Sequence, residues 1–150
     1  ILATEKDLAH GMTYEGHPVG CAVGLATIDV IEKEGLVAKV RDETGPYLQK
    51  RVGELADHPL VGETRGVGLL AAVELIADKK TGGRFPEEGK TGLLARDFCF
   101  DNGLIMRSIR DTMVLSPPLV ITKSEIDEMV ALARRCLDLT FEELRRRTKT

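Results

Sequence analysis

The feature that most constrains the fold is an uncharged run from Gly16 to Ile28. A proline, Pro18, stands near its start, where the first turn of a helix tolerates a residue without an N–H. Apolar residues follow at helical spacing and cover almost the whole circumference, so this helix should be buried by other parts of a protein. The pattern predicts a helix over residues 19–33, ended by Gly35. The run is too short to cross a bilayer.

Beyond this helix the hydrophobic period changes along the chain. A second helix is predicted over 36–56, with a kink or break at Pro46. The later predictions are a strand over 67–75, a loop over 77–90, a helix over 91–102 with Leu93, Leu94 and Phe98 inward, strands over 104–108 and 113–118, and a last helix after Thr122. Thr122 and Glu125 form a capping box. Helices alternating with strands indicate an α/β fold, a small sheet covered by helices.

Charge and cysteine content exclude several classes of function. The net charge is −3 and both signs are interspersed, which argues against nucleic acid or a membrane as the partner. The three cysteines, Cys21, Cys99 and Cys136, form no CxxC pair, so a disulfide scaffold is not expected. We therefore predict a reducing compartment, the cytoplasm.

Three candidate sites have simpler explanations. His10, His17 and Cys21 match no standard zinc spacing, so no metal site is predicted. The cysteines lie in apolar helical patterns without an activating base nearby, which is typical of inert core thiols. Glycines at 66 and 68 lack the third glycine of a dinucleotide fingerprint and precede a strand.

Two residues keep two interpretations each. Thr13 lies in a glycine-flanked turn before a helix, which suits either an anion site or a simple helix start. Arg107 interrupts the apolar run "LIMRS" and either pairs with a nearby acid such as Asp111 or binds a substrate carboxylate.

Four segments together resemble one known family. "HGMTYEGHPVGCAVGLATIDVIEKEGL", "TRGVGLLAAVEL", "GLIMRS" and "MVLSPPLVITKSEIDEMV" occur in this order and cover nearly the whole chain. They resemble the class III aminotransferases, pyridoxal-phosphate (PLP) enzymes of the aspartate-aminotransferase fold, and most of all the omega-amino acid or amine:pyruvate branch. The resemblance implies a large-domain end and interdomain helix over 1–35. It implies a small C-terminal domain with a mainly antiparallel sheet over 36–150.

The resemblance also assigns roles to particular residues. Met12, through its backbone N–H, and Thr13 match the cofactor-phosphate contact that reaches across a homodimer interface. Arg107 matches the arginine that pairs with a substrate carboxylate, with amines and keto acids such as pyruvate as the reactants. Glu15 departs from the family, which often has serine there, and puts a negative charge near the phosphate.

The family's Schiff-base lysine lies upstream of the threonine motif, in a large domain that this chain lacks. None of the nine lysines here has a matching context. We therefore expect a fragment of a transaminase that is inactive alone and self-associates through its apolar helix. The alternatives are a non-catalytic α/β anion-binding domain and a dimerisation module.

Overall fold

The structure, a computed structural model, describes residues 11–148. The chain divides into two compact units, with the division after Gly35. The first unit contains a turn and helix α1 (Pro18–Lys33), and the second contains all the strands and the remaining helices. The division coincides with the boundary expected above, while the assignment of the two units to a large-domain segment and a small domain stays a prediction.

Helix α1 begins and ends where the sequence indicates. Pro18 occupies its first turn, and the Nδ1 atom of His17 accepts a hydrogen bond of 3.4 Å from the Gly20 N–H. The chain leaves the helix at Gly35, whose φ of +60° favours glycine. The helix was expected to be buried, but none of its residues is buried in the structure. In the described part of this unit only a short turn accompanies the helix, and a turn cannot cover its apolar circumference.

The second unit begins with a continuous helical segment and continues into a sheet. Its elements are α2 (Leu36–Lys39), a π-helical turn (Val40–Thr44), α3 (Gly45–Gly53), a 3₁₀ turn (Glu54–Asp57), β1 (Val61–Val67), β2 (Leu70–Leu75), α4 (Lys90–Asp101), β3 (Arg107–Ile109), β4 (Thr112–Leu115) and α5 (Lys123–Thr148). The polar segment between β2 and α4 contains one isolated bridge, Asp78 with Gly83, and is otherwise without strand or helix. This agrees with the predicted loop.

Pro46 is accommodated by a π-helical turn instead of a break. A proline in a regular helix has no N–H to donate and its ring meets the carbonyl four residues back. Here the N–H of Gly45 donates to the carbonyl of Val40, five residues back, so the helix is locally widened just before the proline. The helical path therefore continues from α2 into α3.

The sheet has the order β1-β2-β4-β3, and all neighbouring strands are antiparallel. The prediction of one strand over 67–75 was wrong in one respect. Gly68, with φ +56°, and Leu69 form a tight turn within this run and join β1 to β2. Strand β1 was missed because its sequence, VGETRGV, is mostly polar and glycine-containing, and only its first residue is buried.

The core lies between one face of the sheet and helices α3, α4 and α5. Its best-buried large side chains are Leu48, Val52, Leu55, Val61, Val73, Met113, Leu115 and Ile126. The predicted inward face of α4 was wrong for Leu93, which is 45% exposed, whereas Leu94 is partly buried and Phe98 packs against the core. The buried residues of the helix are Thr91, Gly92, Ala95 and Cys99. Small residues face inward because α4 approaches a neighbouring backbone closely at Gly92.

Helix α5 starts with the predicted capping box. The Thr122 N–H donates to Glu125 Oε2 at 2.8 Å, and the Glu125 N–H donates to Thr122 Oγ1 at 3.3 Å. Further along, the Tyr47 hydroxyl donates to Asp127 at 2.8 Å and Arg51 Nε donates to the same carboxylate at 2.7 Å, which joins α3 to α5. The hydrogen bond from Tyr47, followed by that from Arg51, lowers the pKa of Asp127.

The fold class is confirmed: an α/β unit with a small, wholly antiparallel sheet covered on one face by helices, preceded by a long helix. Within residues 11–148, no helix combines the length and the apolar character that crossing a bilayer would require.

Candidate functional site

The segment that contains Thr13 is an exposed turn before α1. The Glu15 N–H donates to the Met12 carbonyl at 2.9 Å, and the His17 N–H donates to the Tyr14 carbonyl at 3.1 Å. Met12 and Thr13 are both exposed, and Met12 retains 72% of its accessible surface. The threonine hydroxyl and the neighbouring backbone are therefore accessible to a ligand.

Glu15 is folded back over the start of this turn. Its Oε2 atom lies 2.9 Å from the point where a Cβ atom on residue 11 would stand, so Gly11 provides the space for it. The carboxylate is thus close to the backbone that precedes Met12. A phosphate bound at Thr13 would have to coexist with this charge or displace the side chain.

The residues considered as metal ligands are used differently. His17 caps α1, and Cys21 is exposed on that helix. His10 lies outside the described residues. Among residues 11–148 no group of three or more potential metal ligands is found.

Cys99 and Cys136 are buried where α4 packs on α5. Burial, with a smaller contribution from Cys136, raises the pKa of Cys99 to about 12. Burial also raises the pKa of Cys136. Both thiols are therefore protonated at neutral pH and are unsuited to nucleophilic attack.

Arg107 is the first residue of β3, an edge strand of the sheet. It pairs with Val114, whereas Ser108 pairs with the buried Met113. Because side chains alternate along a strand, Arg107 lies on the face opposite the core. Its side chain is exposed there.

Two rows of side chains cross this outer face. The first row is Arg65, Ala72, Val114 and Arg107, and the second row is Glu63, Glu74, Thr112 and Ile109. The two glutamates thus stand beside Arg65, which donates to Glu74 at 2.7 Å and to Glu63 at 3.2 Å. The hydrogen bond to Glu74 contributes most to raising the pKa of Arg65.

Arg107 has different neighbours from Arg65. The second row offers only a threonine and an isoleucine at its end of the sheet. Within the part of the chain that the structure describes, no ion pair or side-chain hydrogen bond involves Arg107. The guanidinium is therefore available to an anion that approaches the outer face.

The alternative partner for Arg107 was wrong. Asp111 directs its carboxylate to helix α4, where Oδ2 accepts from the Gly89 N–H at 2.8 Å and Oδ1 accepts from the Gly92 N–H at 2.9 Å. Gly89, the N-cap residue, has φ +84° and no side chain that could cap the helix. The missing N-cap side chain in "EEGKTG" was the available sign that a residue distant in sequence caps α4.

His58 was not considered in the sequence interpretation, and it is 2% exposed. Its Nδ1 atom accepts from the Leu60 N–H at 3.2 Å, and its Nε2 atom lies 3.3 Å from Asp138 Oδ1. Burial lowers the pKa of His58, and Asp138 opposes this effect in part. The contacts are those of a structural histidine that orders the segment before β1.

The predicted site residues fall in two groups. Met12 and Thr13 belong to the first unit, and Arg107 belongs to the second. Each group is exposed within its own unit, and each offers hydrogen-bond donors to an anion.

Comparison with known proteins identifies the family. The sequence matches the family model for aminotransferase class-III over residues 1–137, and the chain therefore belongs to the class III aminotransferases. This confirms the resemblance on which the site assignment rests.

Similar proteins carry related names. The chain is 60% identical over 140 residues to a putrescine–pyruvate aminotransferase of Pseudomonas aeruginosa, with 93% of this chain and 30% of that protein covered. It is 41% identical over 142 residues to a diaminobutyrate–2-oxoglutarate transaminase of Halomonas elongata, with 93% and 30% covered. The chain thus spans about 30% of the length of these relatives.

Solved structures agree with the fold. A structure described as a transaminase with L-Ala superposes with a TM-score of 0.83 at 43% identity, over 91% of this chain and 32% of that chain. The omega transaminase from Pseudomonas jessenii in complex with PMP gives 0.82 at 37% identity, over 90% and 30%.

Proposed function

We propose that the protein containing this segment is a PLP-dependent transaminase. It moves an amino group from an amine or omega-amino acid to a keto acid such as pyruvate. The observation that carries the proposal is Arg107, an exposed guanidinium on the outer face of an edge strand without a carboxylate partner among residues 11–148.

Arg107 would bind the carboxylate of the keto acid. A guanidinium presents two parallel N–H groups to the two oxygens of a carboxylate, which fixes both the position and the orientation of the substrate. Because Arg107 stands on a strand, its backbone is held by pairing with β4 while its long side chain is free to turn. It can therefore bind a carboxylate or leave space for a substrate without one.

Met12 and Thr13 would hold the phosphate of the cofactor. The exposed hydroxyl and backbone of this turn are suitable hydrogen-bond donors for a phosphate. The nearby carboxylate of Glu15 opposes binding electrostatically, so a fit requires it to stay on the side of Gly11, where the structure has it. When bound, PLP supplies the electron sink for transamination.

The relatives' names indicate the class of amino donor. Putrescine and diaminobutyrate, which stand in the names of the two relatives described above, both carry a primary amine at the end of an aliphatic chain. We propose a terminal amine of this kind as the donor and pyruvate as the acceptor.

Other parts of the proposal concern what surrounds this segment. The Schiff-base lysine would come from a large domain outside the 150 residues, and the Thr13 turn would contact the cofactor across a homodimer interface. The 150 residues made alone are expected to be inactive because they lack that lysine. A cytoplasmic location fits the three unpaired cysteines.

The decisive experiment compares two arginines on the same face of the sheet. In the complete PLP-loaded enzyme, Arg107→Ala should raise KM for pyruvate roughly tenfold or more, because a charge-assisted pair is lost. KM for propanal, an acceptor without a carboxylate, should stay within about twofold, since no charged hydrogen bond to the acceptor is removed. Arg65→Ala is the matched control, because Arg65 is already paired with Glu63 and Glu74.

An equal change in KM for pyruvate in the two arginine variants would contradict the role of Arg107 in binding the substrate carboxylate. Absence of any amino transfer by the complete protein, with PLP unbound, would favour the anion-binding or dimerisation module instead.

The cofactor contact has its own test. Thr13→Val should weaken PLP binding by about tenfold, the effect of one hydrogen bond to a charged group, as measured by absorbance titration of the apoenzyme. Thr27→Val is the control, since the Thr27 hydroxyl donates to the Val23 carbonyl within α1. Unchanged PLP affinity in Thr13→Val would remove Thr13 from the cofactor site.

A further inference from the structure

We propose that Asp111 is a positioning residue for Arg107: it fixes the hairpin that carries the arginine to the start of helix α4 and to the end of β2. This inference rests on the proposed function of Arg107 as the carboxylate-binding residue. It concerns how the backbone of strand β3, which carries the arginine, is held in place at the edge of the sheet.

Asp111 joins three elements through three hydrogen bonds. Its two carboxylate oxygens accept from the backbone N–H groups of Gly89 and Gly92 at 2.8 and 2.9 Å. Its own carbonyl accepts from the Leu75 N–H at 2.8 Å. One residue in the β3–β4 turn is thus attached to both the start of α4 and the end of β2.

The electrostatics favour this attachment. The first turn of a helix has N–H groups without intrahelical partners and a partial positive charge, which a carboxylate satisfies. Helix α4 has no acidic residue in its first turn and a glycine as N-cap. Asp111 therefore supplies from another element the cap that the helix lacks.

The turn is also held by close packing, which keeps one of its residues in an unfavourable backbone conformation. A Cβ atom on Gly92 would lie 2.0 Å from the Arg110 carbonyl oxygen, so the helix and the turn are in direct backbone contact. Arg110 has φ +54°, the one positive value among the described residues other than glycine. Such a conformation costs free energy and persists only where the surroundings impose it.

Arg107 depends on this turn for its position. Strand β3 has three residues and pairs on one side only, with β4. Three residues before the strand, the Leu104 N–H donates to the Cys99 carbonyl of α4 at 2.9 Å. The chain on both sides of β3 is therefore hydrogen-bonded to α4, and Asp111 makes the contact after the strand.

The side chain of Arg107 makes no polar contact with the described residues that would fix its position further. Among residues 11–148 no carboxylate pairs with it, so the side chain can turn, and the backbone of β3 sets the point from which the guanidinium reaches out. A displacement of that backbone would therefore change which positions over the sheet the guanidinium can reach. Misplacement of a binding group lowers the efficiency of a reaction substantially.

The test is a double-mutant cycle in the complete PLP-loaded enzyme. Asp111→Ala, Asp111→Asn, Arg107→Ala and the Arg107→Ala/Asp111→Ala double variant are compared with the wild type. KM and kcat are measured with pyruvate and with propanal, and the affinity for propionate, an unreactive carboxylate, is measured by calorimetry. Asp97→Asn is the control, because Asp97 on α4 pairs, among residues 11–148, only with the adjacent Arg96.

The expected result is specific for carboxylates. Asp111→Ala should raise KM for pyruvate and Kd for propionate roughly three- to tenfold, while kcat/KM for propanal changes less than about twofold. Asp111→Asn, which keeps an acceptor oxygen for one N–H, should have a smaller effect. In the Arg107→Ala background, removal of Asp111 should cause no further rise in KM for pyruvate or Kd for propionate, since the two residues act on one interaction.

Two results would overturn the inference while leaving the proposed function intact. One is an equal decrease in kcat/KM for pyruvate and for propanal in Asp111→Ala, which indicates a structural role only. The other is a pyruvate effect of Asp111→Ala that persists in the Arg107→Ala background. If Asp111→Ala does not fold, the same comparisons are made with Asp111→Asn. An Arg107→Ala single variant with unchanged pyruvate KM would instead refute the proposed function, and the inference with it.

Discussion

The N–H of Gly92 and the Oδ1 atom of Asp111 are 2.9 Å apart, and this contact joins the start of a helix to a hairpin turn 19 residues further along the chain. The two residues are complementary in size as well as charge. Only a residue without a side chain lets the helix come close enough for the carboxylate to reach its first N–H groups.

Substitution of Gly92 by alanine should therefore destabilise the protein. The added methyl group would stand 2.0 Å from the Arg110 carbonyl oxygen, a backbone atom that cannot move away without breaking the turn. We expect a loss of roughly 1–3 kcal/mol in the free energy of unfolding, measured by urea denaturation. Gly53→Ala is the control, since nothing lies within 4 Å of its added Cβ. Equal stability of both variants would show that α4 can separate from the turn at no cost.

Removal of the Thr122 hydroxyl tests the capping box of α5. Thr122→Ala leaves the N–H of Glu125 without its acceptor, and helix α5 supplies much of the core. The expected loss is about 1 kcal/mol in the free energy of unfolding. Ser124→Ala, an exposed hydroxyl in the same turn, should have little effect, and a comparable loss there would argue against a specific cap.

Acidification should destabilise the protein through His58. Burial lowers the pKa of this histidine in the folded state, so the unfolded state binds its proton first as the pH falls. The contribution of the neutral His58 to the free energy of unfolding is therefore fully present above the ordinary pKa of histidine, near pH 6.5. It declines as the pH falls from there towards the lowered pKa of the folded state.

The measurement is the free energy of unfolding at about pH 7.5 and about pH 5.5, a range above that in which most carboxylates titrate. The decrease should be smaller in His58→Asn than in the wild type, whatever the absolute stability of the variant. The exposed His17 serves as the control, and His17→Asn should retain the wild-type decrease. A His58→Asn variant with the full decrease would disprove the assignment.

Helix α1 should make the 150 residues self-associate when they are produced alone. Its apolar side chains are exposed, with Val23 at 60% and Leu25 at 68% of their accessible surface. Contiguous apolar surface of this kind drives association. Sedimentation should show species larger than a 16.4 kDa monomer, and Leu25→Lys should reduce them more than Thr27→Lys on the same helix. A monomer at high concentration would contradict the prediction.

Local signals in the sequence were sufficient for features that depend on near neighbours. Pro18 and Gly35 mark the ends of α1, and Thr122 with Glu125 marks the start of α5, because each signal acts within one turn of helix. Arg107 could be singled out because a charge is unusual in an apolar run.

Features that depend on distant partners could not be predicted in this way. The polar strand β1 is stabilised by pairing with β2, which its own composition does not indicate. The buried face of α4 is set by the approach of Arg110 to Gly92, so the larger Leu93 is turned outward. The carboxylate of Asp111 is likewise used by a helix that precedes it in the chain. Arg107 consequently lacks the partner that proximity in sequence suggested.

The π-helical turn before Pro46 makes the chain sensitive to length at that point. In a π-helical turn the N–H groups donate five residues back instead of four, so Val40–Thr44 accommodates one residue more than a regular helical turn. With one residue fewer, the turn would return to the regular α-helical pattern, in which the ring of Pro46 meets the carbonyl four residues back. Substitutions in this segment should therefore be tolerated better than single-residue deletions, which would force the proline into a regular helix.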